Sequence, residues 1–178
     1  MIRKPILTAT ALIAILTFAS VVLAQDKSSR PSPPAKAECK LAGGKSITID
    51  YSSPRAKGRK IFGGLVPYGQ VWRAGANEAT ALVVGSDVTV GGKAVPAGSY
   101  TIFAIPAEDK WTLVISEKTG EWGTAYPGPD NDLARIDMKV TKLSAPVENF
   151  TIALDSSNSG CTLKMEWENT EASVDIKK

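Results

Sequence analysis

DVTVGGKAVPAGSYTIFAIPAEDKWTLVIS, residues 87–116, decides the fold. Gly91-Gly92, Pro96-Ala97-Gly98 and Ala107-Glu108-Asp109 interrupt runs rich in valine, isoleucine, threonine and aromatic residues. Glycine and proline supply the backbone angles of tight turns, and β-branched side chains favour a pleated strand. The stretch therefore reads as neighbouring antiparallel strands joined by short connections.

Outward from it the hydrophobic period stays at two. SITIDY puts Ile47, Ile49 and Tyr51 on one face, with Thr48 and Asp50 on the other. RIDMKV aligns Ile136, Met138 and Val140, NFTIALD aligns Phe150, Ile152 and Leu154, and CTLKMEW aligns Cys161, Leu163, Met165 and Trp167. Each is a half-buried strand. TALVV, YTIFAI and WTLVI are apolar on both faces and need a cover on the second. About nine strands with frequent turn signals predict an all-β chain, a single antiparallel β-sandwich or jelly-roll-like domain over residues 39–178. Two long loops interrupt it, residues 52–79 and 117–134, and loops of this length in a compact domain often carry function or cover a sheet.

The chain opens MIRKPILTATALIAILTFASVVLAQ, two basic residues and then an apolar run ending at Ala24. That pattern predicts a signal peptide over residues 1–24, cleaved after Ala24, and a periplasmic or secreted protein with no stable membrane insertion afterwards. The run approaches the length that spans a bilayer, so an uncleaved anchor is the alternative. Residues 25–38, rich in proline, serine and charge, predict a disordered tether. Residues 25–73 hold ten Lys/Arg against three Asp/Glu, and residues 74–178 hold nine against fifteen. A basic front faces an acidic back, either complementing it within one fold or marking a local anion site. Cys39 and Cys161 are the only cysteines, and in an exported chain such a pair predicts a disulfide; two buried free thiols are the alternative.

No histidine is present, which removes Ser-His-Asp and Cys-His nucleophile activation, histidine-ligated metals and a histidine pH switch. Gly44-Lys45-Ser46 lacks the first glycine of a phosphate loop, the glycines at 58 and 63 lack the following lysine, and Pro129 to Asp132 lacks calcium-loop spacing. No metal site and no cofactor are expected. Nucleic acid is not an expected partner either, because aromatics are not interleaved with the basic cluster.

Three polar segments stand out from the strands. SPRAKGRK clusters Arg55, Lys57, Arg59 and Lys60 beside a glycine, as an anion-binding loop or a solvated surface. GEWGTAYPG offers Trp122 and Tyr126, either as exposed contacts or as a lid on the second face of the sheet, whereas Trp111 and Trp167 lie on strand patterns and belong to the core. WRAGANEAT, residues 72–80, sets Arg73, Asn77 and Glu78 around Gly75 behind Trp72. These side chains either converge on a polar ligand or form an internal brace with an Arg73–Glu78 ion pair.

The run from Tyr51 to Thr80, with its KGRKIFGG, PYGQVWR and GANEAT pieces, resembles the signature of an exported bacterial family, domain of unknown function 2911. The likeness continues through VTVGGKAVPAGSYTIFAIP, WTLVIS and GEWG and covers roughly residues 38–176. Matching positions are Gly58, Arg59, Lys60, Gly63, Gly64, Pro67, Tyr68, Gly69, Trp72, Arg73, Gly75, Asn77, Glu78 and Thr80. The resemblance implies a single exported β-rich domain and no particular chemistry.

Three functional expectations follow. The first is non-catalytic binding of a polar or anionic ligand, such as a glycan or cell-envelope component, in a groove where the three polar segments meet: Lys57, Arg59, Lys60, Trp72, Arg73, Asn77, Glu78, Trp122 and Tyr126. The second is a metal-independent hydrolase or lyase with Glu78 as acid or base and Arg73 stabilising negative charge. The third is a structural or protein-partner domain, with another subunit, as in a homo-oligomer, covering the doubly apolar strands.

Overall fold

The structure is a computed structural model that describes residues 27–123, 125–157 and 159–178. The expected signal peptide lies outside the described residues. The strands are β1 (Pro34–Lys40), β2 (Ser46–Ser52), β3 (Thr80–Val84), β4 (Val88–Val90), β5 (Lys93–Val95), β6 (Gly98–Ile105), β7 (Lys110–Ser116), β8 (Asp132–Ser157) and β9 (Gly160–Lys177). They form one antiparallel sheet in the order β1-β2-β3-β6-β7-β8-β9-β4-β5. The all-β expectation holds, but hydrogen bonding gives one sheet where a sandwich has two.

That single sheet encloses a core because its longest hairpin bends. The β8–β9 ladder shifts register between Lys142 and Val147 and again between Val147 and Thr151, and such bulges kink a strand. The near half of β8 pairs with β7. Its far half crosses to β1 and β2, where the Tyr51 hydroxyl meets the backbone of Ile152, the Ser53 hydroxyl donates to the Phe150 carbonyl at 2.7 Å, and Arg55 bridges Asn149. Cys39 on β1 and Cys161 on β9 form a disulfide across this closure, as expected from the sequence.

The period-two residues point into the enclosed volume: Ile47, Ile49 and Tyr51, Ile136 and Met138, Phe150, Ile152 and Leu154, and Leu163, Met165 and Trp167 are all buried. The loop between β2 and β3 feeds the same core with Ile61, Phe62, Val66 and Ala74. Trp72 joins Phe62, Trp111, Phe150 and Trp167 in an aromatic cluster, stacked on Trp167 with centroids 5.9 Å apart.

The second face of the sheet carries Phe103 and Val114, buried outside the main core. The chain itself supplies their cover. Tyr126, in the loop between β7 and β8, packs its ring edge-on against Phe103 at 5.3 Å. The Tyr126 hydroxyl donates to Asp132 Oδ2 at 2.7 Å and accepts from Arg135 Nη2 at 2.7 Å. TALVV is the exception to the doubly apolar reading, since Val83 is 42% exposed and only alternate residues are buried.

The tether expectation needs correction at its described end. β1 begins at Pro34, inside the segment read as disordered, and Ala37 is buried. Its alternation consists of small residues diluted by charge, too weak a signal alone; pairing with Ser46–Ser52 supplies the burial. Residues 27–33 are also docked, through contacts described next.

Candidate functional site

WRAGANEAT is an excursion from the edge of β6. Trp72 forms a two-bond backbone pair with Ala104, and Thr80 pairs with Ile102, only two positions further along the same strand. Arg73 therefore falls opposite Phe103, next to Thr80, and residues 74–79 loop out between them. The Thr80 hydroxyl closes the neck by donating to the Ala74 carbonyl at 2.8 Å. Inside the excursion Ala74 and Asn77 hold φ of 50° and 56°. Asparagine tolerates that left-handed conformation, whereas for alanine it costs about 1–2 kcal/mol. Gly75 is needed for closeness: a Cβ there would stand 3.0 Å from the Ser52 carbonyl oxygen and 3.1 Å from Thr80 Oγ1.

The excursion joins the loop between β7 and β8. Glu78 bridges Trp122, Ala79 donates to the Glu121 carbonyl, and Gly123 donates to the Asn77 carbonyl. Together with the outer face of β3 and β6 they bound a groove of about 320 Å³ lined by Glu78, Val83, Tyr100, Thr101, Glu121 and Trp122 among others. Trp122 is 62% exposed and Val83 42%, so the groove offers an aromatic face and an aliphatic one to solvent.

Glu78 does not pair with Arg73. Arg30 Nη1 donates to both Glu78 carboxylate oxygens, at 2.9 and 3.0 Å, and Lys27 Nζ lies 3.0 Å from Oε1. Hydrogen bonding from Arg30, with help from the residue's own backbone N–H and from Lys27, pushes the Glu78 carboxyl down to about 2. A carboxylate so held stays ionised near neutral pH and is too weak a base for efficient proton transfer, which removes support from the acid–base enzyme reading. Asn77 Nδ2 donates to the Ser32 carbonyl at 2.9 Å. The Arg73–Glu78 pair is therefore absent, and Asn77 and Glu78 instead tie the excursion to the segment 27–33.

Arg73 is left out of it. No hydrogen bond or ion pair reaches Arg73 among the described residues, and its Nε is fully buried. Burial pushes its pKa down. Because Trp72 turns into the core with Ala104, alternation sends Arg73 to the second face, the face of Phe103 and of the groove. Its Nη1 comes within 4.0 Å of the point where a side chain on Gly123 would begin, directly after Trp122. A part-buried guanidinium without an acceptor is a partner for a carboxylate or phosphate that can reach it.

The remaining sequence candidates lie elsewhere. Trp72 belongs to the aromatic core and Tyr126 pins its loop. The KGRK loop borders a different hollow, with Pro146, Val147, Glu148 and Glu168, and shares no lining residue with the Trp122 groove. Arg59 donates to the carbonyls of Ala56 and Arg55, and Arg55 to Ser53, so both guanidinium groups stabilise their own loop. The Lys57 backbone N–H is held by Glu148 at 2.9 Å, while Lys57 and Lys60 are exposed. Sequence reasoning did not find Val83, Tyr100, Thr101 or Glu121. It also missed Lys27 and Arg30, whose only trace was the opposite charge of the front and back halves.

Fold and site define an all-β protein with an open groove and, beside it, an arginine that has no partner among the described residues. The chain matches the family described as Protein of unknown function (DUF2911) over residues 32–176 and belongs to that family. Neither the curated proteins nor the solved structures contain a match. Among the described residues no helix is long and apolar enough to cross a membrane, and no group of three or more Cys, Asp or Glu side chains is placed to hold a metal.

Proposed function

We propose that this is an exported, non-catalytic binding protein whose ligand is a small polar molecule with a flat apolar face and an anionic group, the class of an acidic sugar unit. The carrying observation is the guanidinium of Arg73, without a partner among the described residues, next to a groove walled by exposed Trp122. Sugar rings stack on aromatic faces, exposed hydroxyl-bearing side chains such as Ser99 and Thr119 fix orientation, and a carboxylate or phosphate completes Arg73. A volume of about 320 Å³ falls at the small end of ligand pockets, which run from about 300 to 1,000 Å³. Export is supported by the leader pattern, with removal after Ala24, and by the disulfide.

Tryptophan fluorescence tests the reading directly, because Trp111 and Trp167 are buried, Trp72 lies in the aromatic core, and Trp122 is exposed. D-glucuronate should change the emission saturably, glucose much more weakly, and Trp122→Phe should remove the response. Equal responses to glucuronate and glucose, or none to either, would sink it.

A further inference from the structure

Polar contacts dock residues 27–33 beside Glu78, among them the Arg30 and Lys27 pairs with Glu78, the Asn77 bond to Ser32, and the Ser53 N–H bond to the Pro33 carbonyl at 2.9 Å. None of residues 27–33 is buried, and Lys27 is 56% exposed. Exposed ion pairs contribute little, about 1 kcal/mol or less each, and segments without buried apolar contacts open locally at low cost. Beneath the segment lies a second hollow of about 210 Å³, lined by Lys27, Pro34, Asp50 and Glu78 among others. Glu78, Ala79 and Ala81 line both this hollow and the Trp122 groove.

We propose that residues 27–33 are a latch over one longer binding groove. Closed, the latch neutralises Glu78 and confines binding to the Trp122 end. Open, it withdraws Lys27 and Arg30, leaving Glu78 and Asp50 as the charged residues of the second hollow, a subsite for a cationic, amine-bearing ligand unit. The inference rests on the groove proposed above. It adds that the chain's own Arg30 and Lys27 hold the Glu78 carboxylate with which that unit would pair.

The test compares the mature protein with its Lys27→Gln/Arg30→Gln variant. Backbone order parameters of Arg30 or its replacement and of Ser32 should fall from about 0.85 to below about 0.6 in the variant. A glucosamine trimer should bind the variant several-fold more tightly than wild type, while glucuronate, now facing an uncompensated Glu78, should bind it more weakly. A segment already mobile in wild type, or equally rigid in both proteins, overturns the latch. A loosened segment with unchanged trimer affinity overturns the subsite. If glucuronate binds neither protein but the trimer still prefers the variant, the acidic-sugar reading fails and the latch stands.

Discussion

Glu78 and Trp122 stand opposite each other as a backbone bridge, which locks the polar excursion of residues 74–79 to the loop that covers the second face of the sheet. One side of that bridge faces the groove, and the other carries the carboxylate gripped by Arg30. The position of Trp122 therefore depends on the excursion as well as on its own loop.

Arg73 separates a pocket from a brace. Arg73→Met should leave stability unchanged or raise it by up to about 1 kcal/mol, because a partly buried guanidinium without an acceptor carries a desolvation cost. A member of a buried ion pair would instead cost about 3–5 kcal/mol. Urea unfolding measures this, and glucuronate affinity should fall about 10- to 100-fold, the worth of one charge-assisted hydrogen bond.

Trp122→Ala should be close to neutral for folding, within about 0.5 kcal/mol, since the ring is mostly in solvent and alanine keeps the backbone bridge. Loss of the stacking face should weaken glucuronate about tenfold in calorimetric titration.

Glu78 gives a pH signature of known sign. Its carboxyl sits at about 2 in the folded chain against an ordinary 4.5, so the stability it contributes is fully present above pH 4.5 and is lost as pH falls through 2. The stability gap between wild type and Glu78→Gln should be flat at higher pH and close across that window, and high salt should shrink it because the group is partly exposed. Carboxyl NMR titration of Arg30→Gln should show the Glu78 value rising toward normal.

Removing the Cys39–Cys161 bond should cost about 4–5 kcal/mol, because it closes a loop with a sequence separation of 122 residues. Denaturant unfolding of the double Cys→Ala variant, with both sulfurs already buried in the folded chain, measures the loss.

Gly75→Ala should destabilise by about 1–3 kcal/mol, since the new methyl meets the Ser52 carbonyl oxygen at 3.0 Å and Thr80 Oγ1 at 3.1 Å, both tighter than ordinary van der Waals contact. The same variant should disturb the amide resonances of Asn77 and Gly123, which share a hydrogen bond.

Strand positions were legible because each period-two run needs only local alternation, and Ile47, Ile49, Tyr51 and their counterparts in β8 and β9 are buried as that alternation requires. β1 was not legible, because alanines among charges carry almost no signal until β2 pairs with them. The site was legible in part. WRAGANEAT and GEWGTAYPG do come together, and KGRK goes elsewhere, because its arginines find acceptors within their own loop. Trp72 looked like a ligand contact only because its partners, Phe62, Phe150 and Trp167, are distant in sequence.

The sequence by itself determined an all-β chain, its turns, its disulfide partners and the absence of histidine chemistry, since these follow from residue type and short-range spacing. Tertiary structure decided that one bent sheet does the work of two, and that Glu78 belongs to Arg30 and Lys27 while Arg73 has no partner among the described residues. Ion pairing is a matter of distances of a few ångströms between residues separated by 48 positions in the chain, and no local pattern of amino acids encodes that choice.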